Sequence, residues 1–434
     1  MNWKIISMMV LIIFFATGLM ACQQHNESTE EEETVLIIEE PQEGELQVEE
    51  LEIEEIQIIE GLIQEMTLEE KIGQLFMPAF RSDHEGRPLK KINESVKEQI
   101  KQYHLGGIIL FAENIESIDQ TKKLIDDMQK NSRLPMFIAV DEEGGRVTRL
   151  NHSRSQLPAT QLPGNEVLGK TKDPTLSYEV GRLLGRELLS LGFNMNLAPV
   201  ADVNTNAKNP VIGDRSFSDN PQEVGIMASE MARGLQNENV SAVFKHFPGH
   251  GDTEFDTHHQ AVVINHDLER LQSVEWVPFR KGIEVSVDAI MTAHIQMPQI
   301  TGNDFPATLS SKIITEILRE EMGYEGMVIT DALEMSAVSQ HYTSAEAAVL
   351  AIEAGVDILL MPRSLEEAYG GVLEAVSLGL ITEERIEESV RRILQVKLKR
   401  GVLEGSQTKE DPFEVIGSAY HAKIVKEIMN KLGR

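Results

Sequence analysis

Short apolar runs alternate with longer amphipathic stretches along the chain from about residue 61 onward. The runs are almost wholly apolar, as strands covered on both faces of a parallel sheet should be. They are Ile72–Ala79, Gly107–Phe111, Met136–Val140, Asn194–Val200, Ala242–Lys245, Ala289–Ala293, Met327–Thr330 and Val356–Leu360. The stretches between them repeat apolar residues at helical spacing, most clearly in Leu176–Leu191, Glu223–Asn237, Leu268–Val285, Ser311–Glu321 and Ala345–Ala354.

This alternation over residues 61–405 predicts an α/β fold, a single (β/α)8 barrel of the TIM type. A doubly wound open sheet is the main alternative, but no glycine-rich dinucleotide-binding fingerprint supports it. Residues 406–434 form a tail beyond the barrel pattern, in which Ser418–Leu432 is predicted to be one helix.

The start of the chain has the pattern of an export signal. One lysine precedes an apolar run from Ile5 to Met20, which is typical of a secretory signal peptide. The run ends at Ala21-Cys22 in a motif that resembles a bacterial lipobox. We therefore predict a lipoprotein signal at residues 1–21, a lipidated Cys22, and a membrane-anchored protein on the extracytoplasmic face. An uncleaved membrane anchor with an incidental cysteine is the alternative.

Residues 22–60 are predicted to be an acidic spacer. They hold fifteen glutamates and no lysine or arginine, and so supply half of the chain's net charge of −30. Like charges in such a block repel and keep it extended, although its recurring apolar residues leave a helix open. A chain this acidic is a poor ligand for phosphate backbones, so no nucleic-acid partner is expected. The single cysteine excludes an intramolecular disulfide.

Polar side chains follow five of the predicted strands. The C-terminal ends of the strands of a parallel barrel share one rim, so these side chains should converge on one mouth. They are the run Asp141–Arg146, Asp202, the pair Lys245-His246, His294 and Asp331.

The loop after Ala242–Lys245 holds candidate acid–base chemistry. It is too polar for a core and too rich in proline and glycine for a regular element. Asp256 stands two residues from His258, where a carboxylate can orient an imidazole and favour its protonated form. That pairing gives a proton donor usable near neutral pH. A solvated loop pair is the alternative.

Two other candidates need weighing against simpler explanations. His246 and His250 have the spacing of helical zinc ligands, but Pro248 and Gly249 oppose a helix, so no metal is predicted. Asp331 ends an apolar strand, where a carboxylate needs a function or a partner. Nucleophile and N-cap of the next helix are equally compatible with its position.

The run Lys245-His-Phe-Pro-Gly-His-Gly-Asp-Thr253, with Asp256-Thr-His258 after it, resembles the signature of glycoside hydrolase family 3, in its β-N-acetylglucosaminidase branch. Further segments resemble that family in the same order, over residues 61–405. They are Met66–Phe76, Val140–Arg149, Asn196–Asp202, Asn209–Phe217 and Val328–Asp331.

The resemblance implies a role for each matching residue. Asp331 would be the nucleophile, His258 the general acid/base and Asp256 its partner. The groups that hold the terminal N-acetylglucosamine would be Asp141, Arg149, Arg215, Lys245 and His246. The family implies retention of configuration by double displacement, with no cofactor.

Two departures from the family's pattern bear on function. The family's Asp-Ser-His is Asp-Thr-His here, which keeps the hydroxyl. Many members carry a second α/β domain, from which the family's glucosidases take their acid/base. In this sequence only residues 406–434 come after the end of the barrel pattern, which is too short for such a domain. The acid/base is therefore expected in the barrel.

The expected activity is exo-hydrolysis of terminal β-linked N-acetylglucosamine from cell-wall-derived glycans. The alternatives are a phosphorylase using the same dyad, a β-glucosidase or xylosidase, and a lipoprotein that binds glycans without cleaving them.

Overall fold

The structure is a computed structural model that describes residues 43–153, 155–254, 262–405, 408 and 410–433, with the backbone alone for residues 43–52. The predicted signal peptide, the lipidation site Cys22, and Asp256 and His258 lie outside the described residues. The chain divides into two compact units, Met1–Glu50 and Leu51–Arg434, and the second holds every described strand.

The strands are short, and nine of the ten described strands lie in or directly beside the predicted apolar runs; the exception is Val262–Val263. In chain order they are β1 Phe76–Met77, β2 Gly107–Ile109, β3 Phe137–Val140, β4 Met195–Asn196, β5 Ser241–Phe247, β6 Val262–Val263, β7 Ala289–Thr292, β8 Ile295–Gln296, β9 Met327–Ile329 and β10 Leu359–Leu360.

The helices precede the first strand, lie between the strands, or follow the last one. They are α1 Glu43–Glu65, α2 Leu68–Gln74, α3 Glu94–Gln102, α4 Ile118–Gln129, α5 Asn165–Gly169, α6 Pro174–Leu191, α7 Pro221–Asn237, α8 Leu268–Ser273, α9 Val277–Glu284, α10 Pro298–Thr301, α11 Ser336–Ser339, α12 Ser344–Ala354, α13 Leu365–Ser377, α14 Glu383–Lys399, α15 Pro412–Val415 and α16 Ala419–Lys431. A π-helical segment, Lys312–Glu321, precedes β9. None of the described helices has both the length and the apolarity needed to cross a bilayer.

The sheet confirms a TIM-like α/β fold. Six strands pair in parallel in the order β2-β3-β4-β5-β7-β9, and β1 pairs in parallel with β10. A small parallel pair, β6 with β8, lies outside this order. Every strand of the large sheet is fully buried, which explains the nearly continuous apolar runs.

The predicted closed barrel is not formed by continuous strand pairing among the described residues. Single bridges, Ala79 to Ile109 and Ile329 to Ile358, and a few backbone hydrogen bonds around them connect the β1–β10 pair to the sheet edges. At the second edge, two amides donate to side chains instead of carbonyls: the Val328 amide donates to Asp357 Oδ2 and the Leu360 amide to Thr330 Oγ1. The Thr330 amide between them still donates to the Ile358 carbonyl. These side-chain bonds interrupt the ladder, so the sheet is a parallel half-barrel with a separate pair.

Two predicted elements were wrong in extent. Ile72 belongs to α2 and not to a strand, because Thr67 and Glu70 form a capping box that starts a helix there. The predicted helix Leu268–Val285 is two helices, α8 and α9. Pro278 lies in the first turn of α9, where a proline is tolerated, whereas it would break a longer helix.

The predicted C-terminal helix is α16, and a buried bond holds it against the barrel. His421 Nδ1 lies 2.8 Å from Glu187 Oε1 of α6, and both side chains are buried. The same carboxylate accepts from the Gly417 amide just before α16. The tail is thus part of the same compact unit as the sheet.

A buried lysine lies in the core at the opposite end of the sheet from the C-terminal strand ends. Lys397 of α14 donates to Gln74 Oε1 at 2.9 Å, and its ammonium lies 5.4 Å from the centre of the Phe137 ring. Burial lowers the pKa of Lys397 from 10.5 to about 7. The unfolded chain holds this proton at pH values where the folded chain has released it. The free energy of unfolding should therefore rise with pH between about 7 and 10.5.

We expect Lys397→Met to raise the free energy of unfolding by about 3–5 kcal/mol near pH 6, because the cost of burying the charged amine disappears. Most of that gain should be lost as the pH approaches about 10, because the unfolded parent chain then begins to release the same proton and the difference between the two states shrinks. Urea denaturation of both proteins across this range measures the effect. A gain that does not change with pH would contradict the lowered pKa.

Candidate active site

One cavity at the C-terminal ends of the strands contains most of the predicted site. Its volume is about 340 Å³. The predicted residues that line it are Asp141, Arg149, Arg215, Lys245, His246 and Asp331. They come from the loops after β3, β4 and β9 and from β5 itself, so the parallel sheet brings them together as expected for strand ends on one rim. The positions of Asp256 and His258 lie outside the described residues.

Asp141 and Lys245 form the centre of a charged network on one wall of the cavity. Lys245 Nζ lies 2.5 Å from Asp141 Oδ1 and 2.6 Å from Glu143 Oε1. The other oxygen of Asp141 accepts from Arg149 Nη2 at 3.0 Å. Arg215 binds Glu143 through two parallel bonds of 2.7 and 2.8 Å. Two carboxylates thus hold three cations at the cavity wall.

Glu143 is a buried member of this network, and the sequence interpretation gave it no role. Its side chain is 1% exposed. Burial alone would raise the pKa of Glu143, but the charges of Arg215 and Lys245 outweigh burial and hold that pKa well below its usual value. The two glycines that follow have positive φ, 87° at Gly144 and 57° at Gly145. They turn the chain sharply after the carboxylate.

Glu142 supports the same loop from the other side. Its Oε2 accepts from the amides of Arg149, at 2.6 Å, and Leu150, at 3.0 Å. Burial raises the pKa of Glu142 to about 7, against the lowering effect of the bonds from Thr148, Leu150 and Arg149. The backbone that carries the Arg149 side chain is therefore fixed by a buried carboxyl group.

Asp202 orients the two histidines that line the cavity. Its carboxylate, fully buried, accepts from the His246 amide, lies 2.7 Å from His246 Nδ1, and accepts from the His250 amide at 2.7 Å. Burial would raise the pKa of Asp202, but His246 and His250 lower it below the usual value. Burial and the neighbouring His246 lower the pKa of His250 to about 4, so His250 is neutral at physiological pH.

Asp331 is not the N-cap of the helix that follows it. Helix α11 begins at Ser336 with Met335 in the cap position. Asp331 Oδ1 accepts from the Ala332 amide at 2.7 Å, and the side chain is half-buried at the cavity surface. The capping explanation for this carboxylate is therefore wrong.

His294, the other polar residue at a strand end, supports the Asp331 loop from below. Its Nδ1 lies 2.8 Å from Thr308 Oγ1 and its Nε2 lies 3.0 Å from the Ala332 carbonyl oxygen. The side chain is buried and does not line the cavity. The pattern of polar strand ends located it correctly near the mouth.

The cavity entrance carries residues outside the predicted set. The guanidinium of Arg81 lies 3.8 Å from the centre of the Phe111 ring and 3.6 Å from the carboxylate of Glu334. In the part of the chain that the structure describes, no three His, Cys, Asp or Glu side chains are grouped as metal ligands would be.

Comparison with known proteins identifies the family. Residues 67–396 match the Glycosyl hydrolase family 3 N terminal domain. The chain belongs to glycosyl hydrolase family 3. It is therefore a glycoside hydrolase by family, and the TIM-like α/β fold described above is the fold of that domain.

The relatives in this family include β-hexosaminidases. Beta-hexosaminidase A of Pseudoalteromonas piscicida is 33% identical over 84% of this chain and 66% of its own length. The chain thus spans slightly less than two thirds of that relative. A beta-hexosaminidase of Nitrosomonas eutropha is 33% identical over 70% of this chain and 89% of its own length. The solved structure of a glycoside hydrolase family 3 beta-N-acetylglucosaminidase from Paenibacillus sp. is 40% identical, with a TM-score of 0.79 over 84% of this chain and 69% of that one.

Proposed function

We propose that the protein is a retaining exo-β-N-acetylglucosaminidase that removes terminal β-linked N-acetylglucosamine from wall-derived glycans. The observation that carries the proposal is the position of Asp331. It has no capping role and lies at the surface of a cavity of sugar-compatible size. The same cavity is lined by an acidic and basic set suited to sugar hydroxyls. The names of the relatives support the choice of sugar.

In the proposed mechanism, the Asp331 carboxylate attacks the anomeric carbon while His258 protonates the departing glycosidic oxygen. His258 then takes a proton from water, which displaces Asp331 and leaves the sugar with its original configuration. Asp256 orients the imidazole. The usual retaining pair is two carboxylates about 5–5.5 Å apart. An imidazole in place of one of them avoids like-charge repulsion with the Asp331 anion, and it is neutral when it acts as the base of the second step.

The charged wall is proposed to hold the sugar ring. Lys245 has three N–H donors, and Asp141 and Glu143 engage two of them. The third is available to a hydroxyl. Asp141 retains lone pairs for hydroxyl donors, and Arg149 has N–H groups beyond the one bound to Asp141. His246 completes this set, with its ring fixed by Asp202.

The proposed location is the outer face of the cell membrane, with lipid on Cys22 and the acidic stretch that follows it as a spacer. Radiolabelled fatty acid should be incorporated into the full chain and not into a Cys22→Ser variant, and the parent should sediment with membranes. Equal labelling of both proteins, or a parent protein found only in the soluble fraction, would count against the anchor.

The activity is tested with a panel of sugars and leaving groups. The protein should carry Cys22→Ser and lack residues 1–21, because Ile59 and Ile63 of α1 pack in the core and truncation at residue 60 would remove part of it. We expect the aryl N-acetylglucosaminide to be hydrolysed at least about 100-fold more efficiently than the matching glucoside or xyloside, with free β-N-acetylglucosamine as the first product.

Each alternative gives a different result in this panel. A phosphorylase would release sugar-1-phosphate and accelerate when inorganic phosphate is added. A glucosidase or xylosidase would reverse the sugar preference. A glycan-binding lipoprotein would bind N-acetylglucosamine-terminated oligosaccharides and cleave none of the glycosides.

A further inference from the structure

The buried carboxylate of Glu143 contacts two cations of the sugar pocket and does not itself line that pocket. Its Oε1 accepts from both Arg215 Nη2, at 2.7 Å, and Lys245 Nζ, at 2.6 Å. Its Oε2 accepts from Arg215 Nε at 2.8 Å. Arg215 and Lys245 line the cavity, whereas Glu143 lies beneath its wall.

The bonds to Glu143 decide which N–H groups remain for a ligand. Arg215 donates its Nε–H and one Nη2–H to Glu143, and Nη1 donates to the Val211 carbonyl at 3.2 Å. Its two remaining N–H groups are fixed in direction by the planarity of the guanidinium. Lys245, a flexible side chain in isolation, is held between Glu143 and Asp141.

We propose that Glu143 is a positioning residue for substrate binding, which aims the free N–H groups of Arg215 and Lys245 at the hydroxyls of the terminal sugar. The inference rests on the proposed function, because it assigns these cations to a sugar. Two parallel bonds to Arg215 and one to Lys245 define both cations relative to one carboxylate. A shift of either cation would therefore shift the other.

An isosteric amide at position 143 cannot replace the carboxylate. Glutamine has one acceptor oxygen and one NH2 donor, so at least one of the three bonds becomes a contact between two donors. Lys245 and Arg215 then lose the carboxylate that lies between them, and Asp141 and Asp202 are the carboxylates left near this pair, so the repulsion between the two cations is less compensated. Displacement of Arg215, Lys245 or both is the expected response.

A matched control exists at the opposite end of the sheet. Asp288, which immediately precedes β7, binds Arg400 through two bonds of 2.6 and 2.8 Å, with Lys399 at 3.7 Å. Both partners of the main pair are buried. Asp288→Asn therefore damages a buried carboxylate–guanidinium pair of the same kind, far from the strand ends that form the cavity.

The experiment compares Glu143→Gln with Asp288→Asn in steady-state hydrolysis of an aryl N-acetylglucosaminide, with thermal melting of each protein as a check on folding. We expect Glu143→Gln to lower kcat/KM by about 100-fold, mainly through a higher KM, because small misplacements of binding groups have effects of that size. Asp288→Asn should lower the melting temperature and leave KM within about twofold of the parent. Glu143→Asp, which keeps the charge, should recover part of the loss and stands in if the glutamine variant does not fold.

Substrates that each lack one ring hydroxyl supply a second readout. The parent enzyme should discriminate against at least one of them, and Glu143→Gln should discriminate less, because the donors to that hydroxyl are no longer aimed. Equal KM values in Glu143→Gln and Asp288→Asn, with the parent active, would overturn the positioning role alone. A parent protein that hydrolyses none of the glycosides would overturn the proposed function and remove the basis of this inference with it.

Discussion

Replacement of Asp331 by alanine is expected to reduce kcat for N-acetylglucosaminides by at least about 10⁴-fold, because no covalent glycosyl-enzyme can form without its carboxylate. The structure strengthens this expectation in one respect. A cap would have explained Asp331 without any chemistry, and the cap of α11 is Met335. The measurement is kcat on an aryl N-acetylglucosaminide, where a good leaving group removes the need for acid assistance.

Chemical rescue tests the role of Asp331 directly. Azide can enter the space left by the side chain and attack the anomeric carbon from the same face, which releases the α-glycosyl azide. Asp214→Ala is a suitable control, since Asp214 is half-exposed on a neighbouring loop, pairs with Arg146 and does not line the cavity. Full activity in Asp331→Ala, or a β-glycosyl azide product from it, would contradict the nucleophile assignment.

The sequence predicted the sheet well because its strands are buried on both faces. Each predicted run contains a described strand, and the runs around β3, β7 and β9 match within one or two residues. The side chains of Asp357 and Thr330 accept hydrogen bonds from backbone amides at the β9–β10 edge. Hydrophobic periodicity could not show this, because polar residues at a strand end are equally compatible with a turn. The interrupted closure of the barrel therefore had no signal in the pattern.

The candidate site was predictable to the extent that its residues stand at strand ends. Asp141, Lys245 and Asp331 all follow or end an apolar run, and all three line one cavity. Glu143 and Asp202 stand in the same strand-end runs, but sequence alone gave no reason to expect that they are buried beneath the wall. Burial of a carboxylate depends on which cations it meets, and those come from other strands.

The net charge of the whole chain does not predict the charge of the residues that line the cavity. The net charge of −30 suggests a surface that repels anions. The cavity instead gathers Arg149, Arg215 and Lys245 around two carboxylates, so local pairing and not overall charge determines what it can bind. This is consistent with a neutral, hydroxyl-rich ligand such as a sugar, for which donors and acceptors are both required.

Replacement of His258 by alanine is expected to affect substrates according to their leaving groups. In a natural disaccharide the leaving group is a sugar, which departs as a strongly basic alkoxide unless its oxygen is protonated. Loss of the general acid should therefore lower kcat/KM for the disaccharide by about 10²–10⁴-fold. A nitrophenolate leaves without help, so kcat/KM for the nitrophenyl glycoside should change far less. The measurement is kcat/KM for a series of glycosides plotted against the pKa of the leaving group, with a much steeper slope expected in the variant.

The second step of the reaction, hydrolysis of the glycosyl-enzyme, distinguishes a general acid/base from a residue that only binds substrate. Without His258, water is not activated against the glycosyl-enzyme, so this intermediate should accumulate with activated substrates. Added azide should then release the β-glycosyl azide, the opposite anomer to that expected from Asp331→Ala. His84→Ala serves as the control, because that imidazole is 83% exposed and does not line the cavity. Equal losses on both kinds of leaving group, with no azide product, would show that His258 is not the proton donor, and the dyad with Asp256 would lose its proposed role.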